Sequence, residues 1–254
     1  MKRLLLVICV FSLASLVFLT GCAGTPPGPS PSPPPNQTQS PQLITISDGT
    51  RNLESGDRVR PGLTVTFTGQ GPANVTIRVY QEGEVFDTTA TDGAGRFTWA
   101  WVIGATEGTF DFQFTAKDPA LEESDPVVFS VIVDGTPPYL LSGSAKPDSP
   151  LGEAPTITVS FNEPIEVSDI NLFTVPGYWA VSMVLPLGGN FTLTQIGLGG
   201  DNQTVTLTGD WTADQLITGE ILQVVFVPHP AMGITDQAGN PMALPTTIQV
   251  TVAP

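Results

Sequence analysis

The sequence predicts an all-β protein built as two antiparallel β-sandwiches in tandem, and three observations carry that expectation. Glycine (26) and proline (25) together make up about a fifth of the 254 residues, a density that breaks most helices. From residue 43 onward, short runs alternate apolar and polar side chains with a period of two, as strands with one buried face require. Turn residues punctuate those runs at the spacing of a sandwich. A hydrophobic content of 41% is that of a folded chain.

The N-terminus has a different character. Met1-Lys2-Arg3 is a short basic start, followed by an uncharged apolar run over residues 4–19. That is the pattern of an export signal, and the run is short of the ~20 residues a membrane span needs. Leu19-Thr20-Gly21-Cys22 then resembles the lipobox of bacterial lipoproteins. The resemblance implies a signal peptide at 1–21 and a mature N-terminal Cys22 carrying diacylglycerol and palmitate-type acyl chains. It also implies export and lipid anchoring to the bacterial cell membrane or outer membrane. Ala23, rather than aspartate, follows the cysteine; in Gram-negative families this resembles sorting to the outer membrane. Cys9 falls in the discarded run, so the exported domains hold no free thiol or disulfide and rely on packing and hydrogen bonds.

Residues 22–41 read as a lipidated cysteine and a proline-rich linker. Seven prolines between Pro26 and Pro35 favour extended polyproline II, reaching up to roughly 50 Å at ~3.1 Å per residue. The first folded unit follows at 42–135. Its expected strands are 43–46, 64–68, 75–79, 84–89, 97–101, 110–114 and 127–133. Phe97, Trp99 and Trp101 share one face of their strand, which marks them as core. The second unit spans 136–254, with strands expected at 139–144, 156–161, 191–196, 204–208, 221–227 and 247–252. One helical turn is expected at 213–216, and an insertion-like segment at 172–190. The junction Asp134-Gly135-Thr136-Pro137-Pro138 is short and stiff.

The second unit resembles the bacterial Ig-like domain of S-layer and other cell-surface proteins. The residues that carry the likeness are "PTITVSFNEPI" (155–165), "WTADQLITGEILQVVFV" (211–227) and "ITDQAGNPM" (234–242). The first unit is similar to another bacterial Ig-like type, through "VRPGLTVTFTGQG", "TDGAGRFTW" and the closing "DGTPP". What the resemblance implies is two Ig-like antiparallel β-sandwiches after a signal peptide and Pro-rich linker. Such modules serve as spacers, adhesins and accessory domains alike, so the likeness speaks for fold more than for activity.

Charge and motif content narrow the function classes. Nine basic and 24 acidic side chains give a net charge of −15, and loss of Lys2 and Arg3 leaves seven basic residues and −17. That balance excludes nucleic acid as a partner, since phosphate binding needs Lys and Arg to displace counterions. His229 is the one histidine, no GxSxG elbow accompanies it, and it reads as a structural or surface residue rather than a triad member. "GLGG" (197–200) lacks the lysine and the helix that phosphate cradling needs. No catalytic residue is expected and no cofactor is required.

Calcium is the one ion the composition suits, because it takes six to eight oxygens and an acidic exported chain supplies them. Asp134, Glu163 and Asp236 are placed to meet at the junction, with Asn240 adding a side-chain carbonyl; the alternative is that Asp236 and Asn240 serve only their own turn. Tyr178, Trp179 and Trp211 are the candidate ligand-binding aromatics, with core packing as their alternative. The expectation is a non-enzymatic cell-envelope lipoprotein that displays its domains as a spacer or interaction module. It meets the membrane through its lipid, with envelope polysaccharide or another surface protein as further partners. A carbohydrate- or protein-binding adhesin is one alternative reading; a hydrolase, or an accessory subunit of one, is another.

Overall fold

The computed structural model describes residues 36–146, 154–185, 191–211, 216–243 and 246–253. The leader, Cys22, the linker as far as residue 35, and all but the last residue of the expected 213–216 turn lie outside the described residues. Two apolar cores form independently, one drawn from residues 46–133 and the other from 140–252.

The first domain contains β1 (Gln42–Ser47), β2 (Arg58–Val59), β3 (Thr64–Gln70), β4 (Thr76–Gln81), β5 (Glu84–Ala90), β6 (Arg96–Val102), β7 (Gly108–Lys117) and β8 (Val127–Val133). The sheet β1-β3-β6 packs against β2-β8-β7-β4-β5. All seven expected strands are present; β2 was not expected, because two residues carry no period, and it pairs parallel to β8. Along β6, exposed and buried residues alternate strictly, sending Phe97, Trp99 and Trp101 inward as the alternation predicts. Phe67 sits at the centre, its ring 5.0 Å from Trp99 and 5.2 Å from Phe114. The indole N–H of Trp99 donates to Asp87 Oδ2 at 2.8 Å, so burying this ring leaves no polar atom unmet. The turn into β6 is fixed by Asp92, whose Oδ1 accepts from the backbone N–H groups of Ala94 and Arg96 at 2.8 Å. Gly95 completes it at φ +80, where a Cβ would strike the Gly71 carbonyl. Strand β5 is an outer edge, with six of its seven residues exposed.

The second domain contains β9 (Leu140–Ala145), β10 (Thr156–Phe161), β11 (Ile165–Val167), the short helix α1 (Ile170–Phe173), β12 (Trp179–Leu185), β13 (Phe191–Leu198), β14 (Thr204–Trp211), β15 (Ile221–Phe226), β16 (Ile234–Asp236) and β17 (Thr246–Thr251). The order β13-β14-β10-β9 faces β12-β15-β17, the four-plus-three arrangement of a constant-type immunoglobulin sandwich. Both domains are Ig/fibronectin-III-like β-sandwiches.

Residues 172–185 correct the expectation of an insertion-like segment at 172–190, whose last five residues lie outside the described residues. Asp169 caps α1, its Oδ1 accepting from Asn171 N at 3.0 Å and Leu172 N at 3.2 Å. After a 3₁₀ turn at Pro176–Tyr178, the chain enters β12 and pairs antiparallel with the core strand β15. Trp179 opens that strand facing inward, stacked on Phe226 at 4.0 Å and edge-on to Phe173 at 5.7 Å.

Candidate functional site

The site lies where the domains meet, and local hydrogen bonding builds it. Leaving β8, Asp134 donates its N–H to Val59 O at 3.0 Å, and its Oδ1 accepts from Thr136 N at 3.1 Å. Glu107 Oε1 accepts from Gly135 N at 3.0 Å. On the far side, Asn162 Oδ1 accepts from Tyr139 N at 2.7 Å. The connector is thus pinned to a domain at each end. From the second domain, the ladder β11–β16 sets Ile165 opposite Asp236, which brings the "FNEP" corner alongside the "DQAGN" turn.

These elements bring together the four residues expected from the sequence. Asp134, Glu163 and Asp236 each offer a carboxylate oxygen, and the three oxygens lie within 4.8 Å of one another. Asp236 is 1% exposed and Asp134 8% exposed; Glu163 is half-buried. Arg58 Nη1 pairs with Asp134 Oδ2 at 2.5 Å. Asp236 Oδ1 accepts from Asn240 N at 2.8 Å and Oδ2 from Asn240 Nδ2 at 2.7 Å. Asn240 corrects one expectation. Its amide nitrogen, not its carbonyl, faces the cluster, and it also donates to the Asp134 backbone carbonyl at 2.7 Å. Asn240 therefore braces the joint across the two domains instead of lending an oxygen.

Glu163 is the acid with least support. Among the described residues, the one hydrogen bond its carboxylate accepts comes from Asn162 Nδ2, 2.9 Å from Oε1. Burial, then the charges of Asp236 and Asp134, push its carboxyl above the usual glutamate range, against the smaller pull of Asn162 and Arg58. A divalent cation among the three oxygens would remove that repulsion. Beside the cluster, Arg51 crosses between the domains, donating from Nη2 to Arg58 O at 2.7 Å and to Gln237 O at 3.2 Å. A cavity of about 280 Å³ lies next to it, between Arg60 and Leu63 of one domain and Glu166 and Ala238 of the other.

The aromatic candidates do not form a platform. Trp179 is 4% exposed and donates its indole N–H to Phe173 O at 3.2 Å, so it has no face for a ligand. This corrects the expectation of an exposed aromatic there; the alternation Trp179, Val181, Met183 along β12 is the signal that could have revealed it. The Trp211 side chain lies outside the described residues. Tyr178 is half-buried, with its ring 5.6 Å from His229. His229 Nδ1 accepts from Ala231 N at 3.1 Å and caps the 3₁₀ turn Pro230–Met232, the structural part expected of it. A small, mostly apolar cavity of about 200 Å³ opens beside it between Pro228, Pro230, Ile234 and Met242. Among the described residues no helix is long and apolar enough to cross a membrane.

No family model and no curated protein matches the chain. Among solved structures, the chain is similar to the fibronectin(III)-like modules of Clostridium thermocellum CbhA, with 12% identity over 82% of this chain and 93% of that one, at a TM-score of 0.32. The titin domains Z1Z2 in complex with telethonin share 14% identity over 85% and 98% of the two chains, at a TM-score of 0.28. Drosophila OTK extracellular domains 3–5 share 10% over 87% and 67%, also at 0.28. The strand order of each sandwich is what makes the domains Ig/fibronectin-III-like.

Proposed function

We propose that this chain is a non-enzymatic lipoprotein of the bacterial envelope, in which lipidated Cys22 and the proline-rich stalk carry two Ig-like domains as a spacer that displays an interaction surface. The second domain is akin to the S-layer type, on the strength of its "FNEPI" and "DQAGN" corners. One observation carries the spacer reading. Two independent cores are joined by a five-residue connector whose ends are cross-bonded, with Asn240 and Arg51 spanning the domains. Such a joint limits how far the two bodies swing against one another, as a spacer requires. Small-angle scattering of the mature chain tests it: one elongated two-body shape is expected, and a broad range of interdomain angles overturns the reading.

Calcium belongs to the same proposal. Three carboxylate oxygens from both domains, gathered within 4.8 Å, are the hard donors this ion prefers, and an ion there would tie Asp134 to Glu163 and Asp236. A second reading, an adhesin for envelope polysaccharide or another surface protein, is favoured at the cavity beside His229, against whose ring Tyr178 packs. Pull-downs against peptidoglycan and polysaccharides with Tyr178→Ala as control separate it from the plain spacer.

A further inference from the structure

The end of the stalk is fastened to the first domain, at a place chosen by the fold. Residues 36–40 run beside the loop that connects β7 to β8, with Gln37 bridged in parallel to Glu122. The backbone pairs in both directions: Thr38 N donates to Glu122 O at 2.9 Å, and Glu122 N donates to Asn36 O at 2.8 Å. Thr38 is 2% exposed. Its hydroxyl donates to Glu122 O at 2.7 Å and accepts from Asp118 N at 3.2 Å. Gln37 Nε2 donates to Glu123 O at 3.0 Å, and Ser40 Oγ to Asp125 O at 2.9 Å. The loop itself is held rigid, because Glu123 is gripped by Arg78 at 2.8 Å, by the Tyr80 hydroxyl at 2.7 Å and by the Thr115 hydroxyl. Composition gave no sign of this. Residues 36–40 read as linker, yet they form a strap.

The position of the strap has a mechanical meaning. Residue 125 lies just before β8, and β8 ends at Val133, immediately before Asp134 and the interdomain joint. The strap therefore connects the stalk to the start of the one strand whose other end enters the joint. A strand is already close to full extension, so tension between its two ends does not stretch it. Without the strap, pulling on the stalk loads β1, and force must cross the β1–β3 ladder and the sandwich core before reaching the joint. We propose that the 36–40 strap is a mechanical shunt, which passes tension from the stalk through the 122–125 loop into β8 and leaves the other strands of the first domain unloaded.

This property rests on the anchored-spacer reading for its use in the cell, but not for its measurement. The test is force spectroscopy on the mature chain, produced without lipidation and held by the Cys22 thiol and by a handle at the C-terminus. The variant is Thr38→Val with Gln37→Ala, which removes four of the strap's side-chain hydrogen bonds and no core contact. Its first domain is expected to unfold at clearly lower force, with the second domain's force unchanged as internal reference. A second measurement with the strap sequence intact, on a variant carrying Ile44→Cys as the N-terminal handle and Cys22→Ser, bypasses the strap and is expected to lower the same peak. Equal unfolding forces in the wild type and the strap variant overturn the shunt, whatever becomes of the lipid anchor. A variant whose thermal melting falls in step with its force also overturns it, because the strap would then be an ordinary part of the fold.

Discussion

Glu163→Gln should have opposite effects on stability with and without calcium. Without the ion, the substitution removes a half-buried negative charge from two others whose oxygens lie no more than 4.8 Å away. At that outer limit each like-charge pair costs about 3.5 kcal/mol at an effective dielectric constant near 20, and about 0.9 kcal/mol in bulk water. Glu163 is partly open to solvent, and Arg58 and Asn162 offset part of the repulsion. A net gain of about 1 kcal/mol is therefore expected, or roughly 4 °C in melting temperature. With calcium at a hundred times its dissociation constant, the wild type should gain about 2.7 kcal/mol. A glutamine in place of one carboxylate, weakening the site about a hundredfold, would leave about 0.4 kcal/mol of that gain. Calorimetric melts of both proteins in EDTA and in saturating calcium measure all four values. If Glu163→Gln melts with the wild type in EDTA, the charge reasoning fails; if calcium shifts neither protein, the ion is not bound at the joint.

The remaining predictions concern the core, the turns and the anchor. Trp179→Ala empties a site walled by Phe173 and Phe226 and should cost about 3–5 kcal/mol, read as a lower urea midpoint of the second domain; a loss below about 1 kcal/mol would return Trp179 to the surface. Hydrogen bonds from the Thr204 hydroxyl, then from the backbone of Thr204 and Gln203, hold the Asp201 carboxyl down at about 2. For Glu123, burial acts to raise the carboxyl, but the Thr115 and Tyr80 hydroxyls and Arg78 outweigh it and keep it below the usual range. Both groups have folded values beneath their unfolded ones, so their support is present above the unfolded values and is lost as pH falls through the folded ones. Urea midpoints measured from neutral pH down to about 2 should fall, and less steeply in Asp201→Asn. Palmitate labelling should mark the wild type and vanish in Cys22→Ala, with globomycin blocking processing; an unlabelled wild type removes the anchor from the proposal.

How much of this was legible in the sequence varies with the physics of each element. Strands with one buried face announce themselves, and β6 and β10 appear where alternation puts them. Strand β12 was hidden because Pro176-Gly177 precedes it and a short helix, held by the Asp169 cap, precedes that; the eye reads irregularity there. Strand β2 has two residues and no period to detect. The acidic cluster was legible because its members sit at chain corners flanking the junction, where a short connector must bring them close. The direction of Asn240 was not, since an amide offers both a donor and an acceptor and only the surrounding carboxylates decide between them. The strap was invisible for a different reason: a proline-rich neighbourhood looks unstructured, while docking depends on a loop more than 80 residues away.

The exposed edge of β5 bears on how copies of this protein tolerate one another. Val85 and Phe86 are about half exposed on it, and against pairing with another strand it carries neither lysine nor proline but two exposed acids, Glu84 and Asp87. Between two such edges stand these acids and the chain's net charge of −15, which repel through solvent. That safeguard is electrostatic and therefore borrowed from the medium. Near 1 M salt its range shrinks to about 3 Å, shorter than the spacing of two paired strands, and neighbouring molecules then meet as if uncharged. Crowded copies should therefore repel one another in dilute salt, and brine is the condition under which they should begin to associate edge to edge.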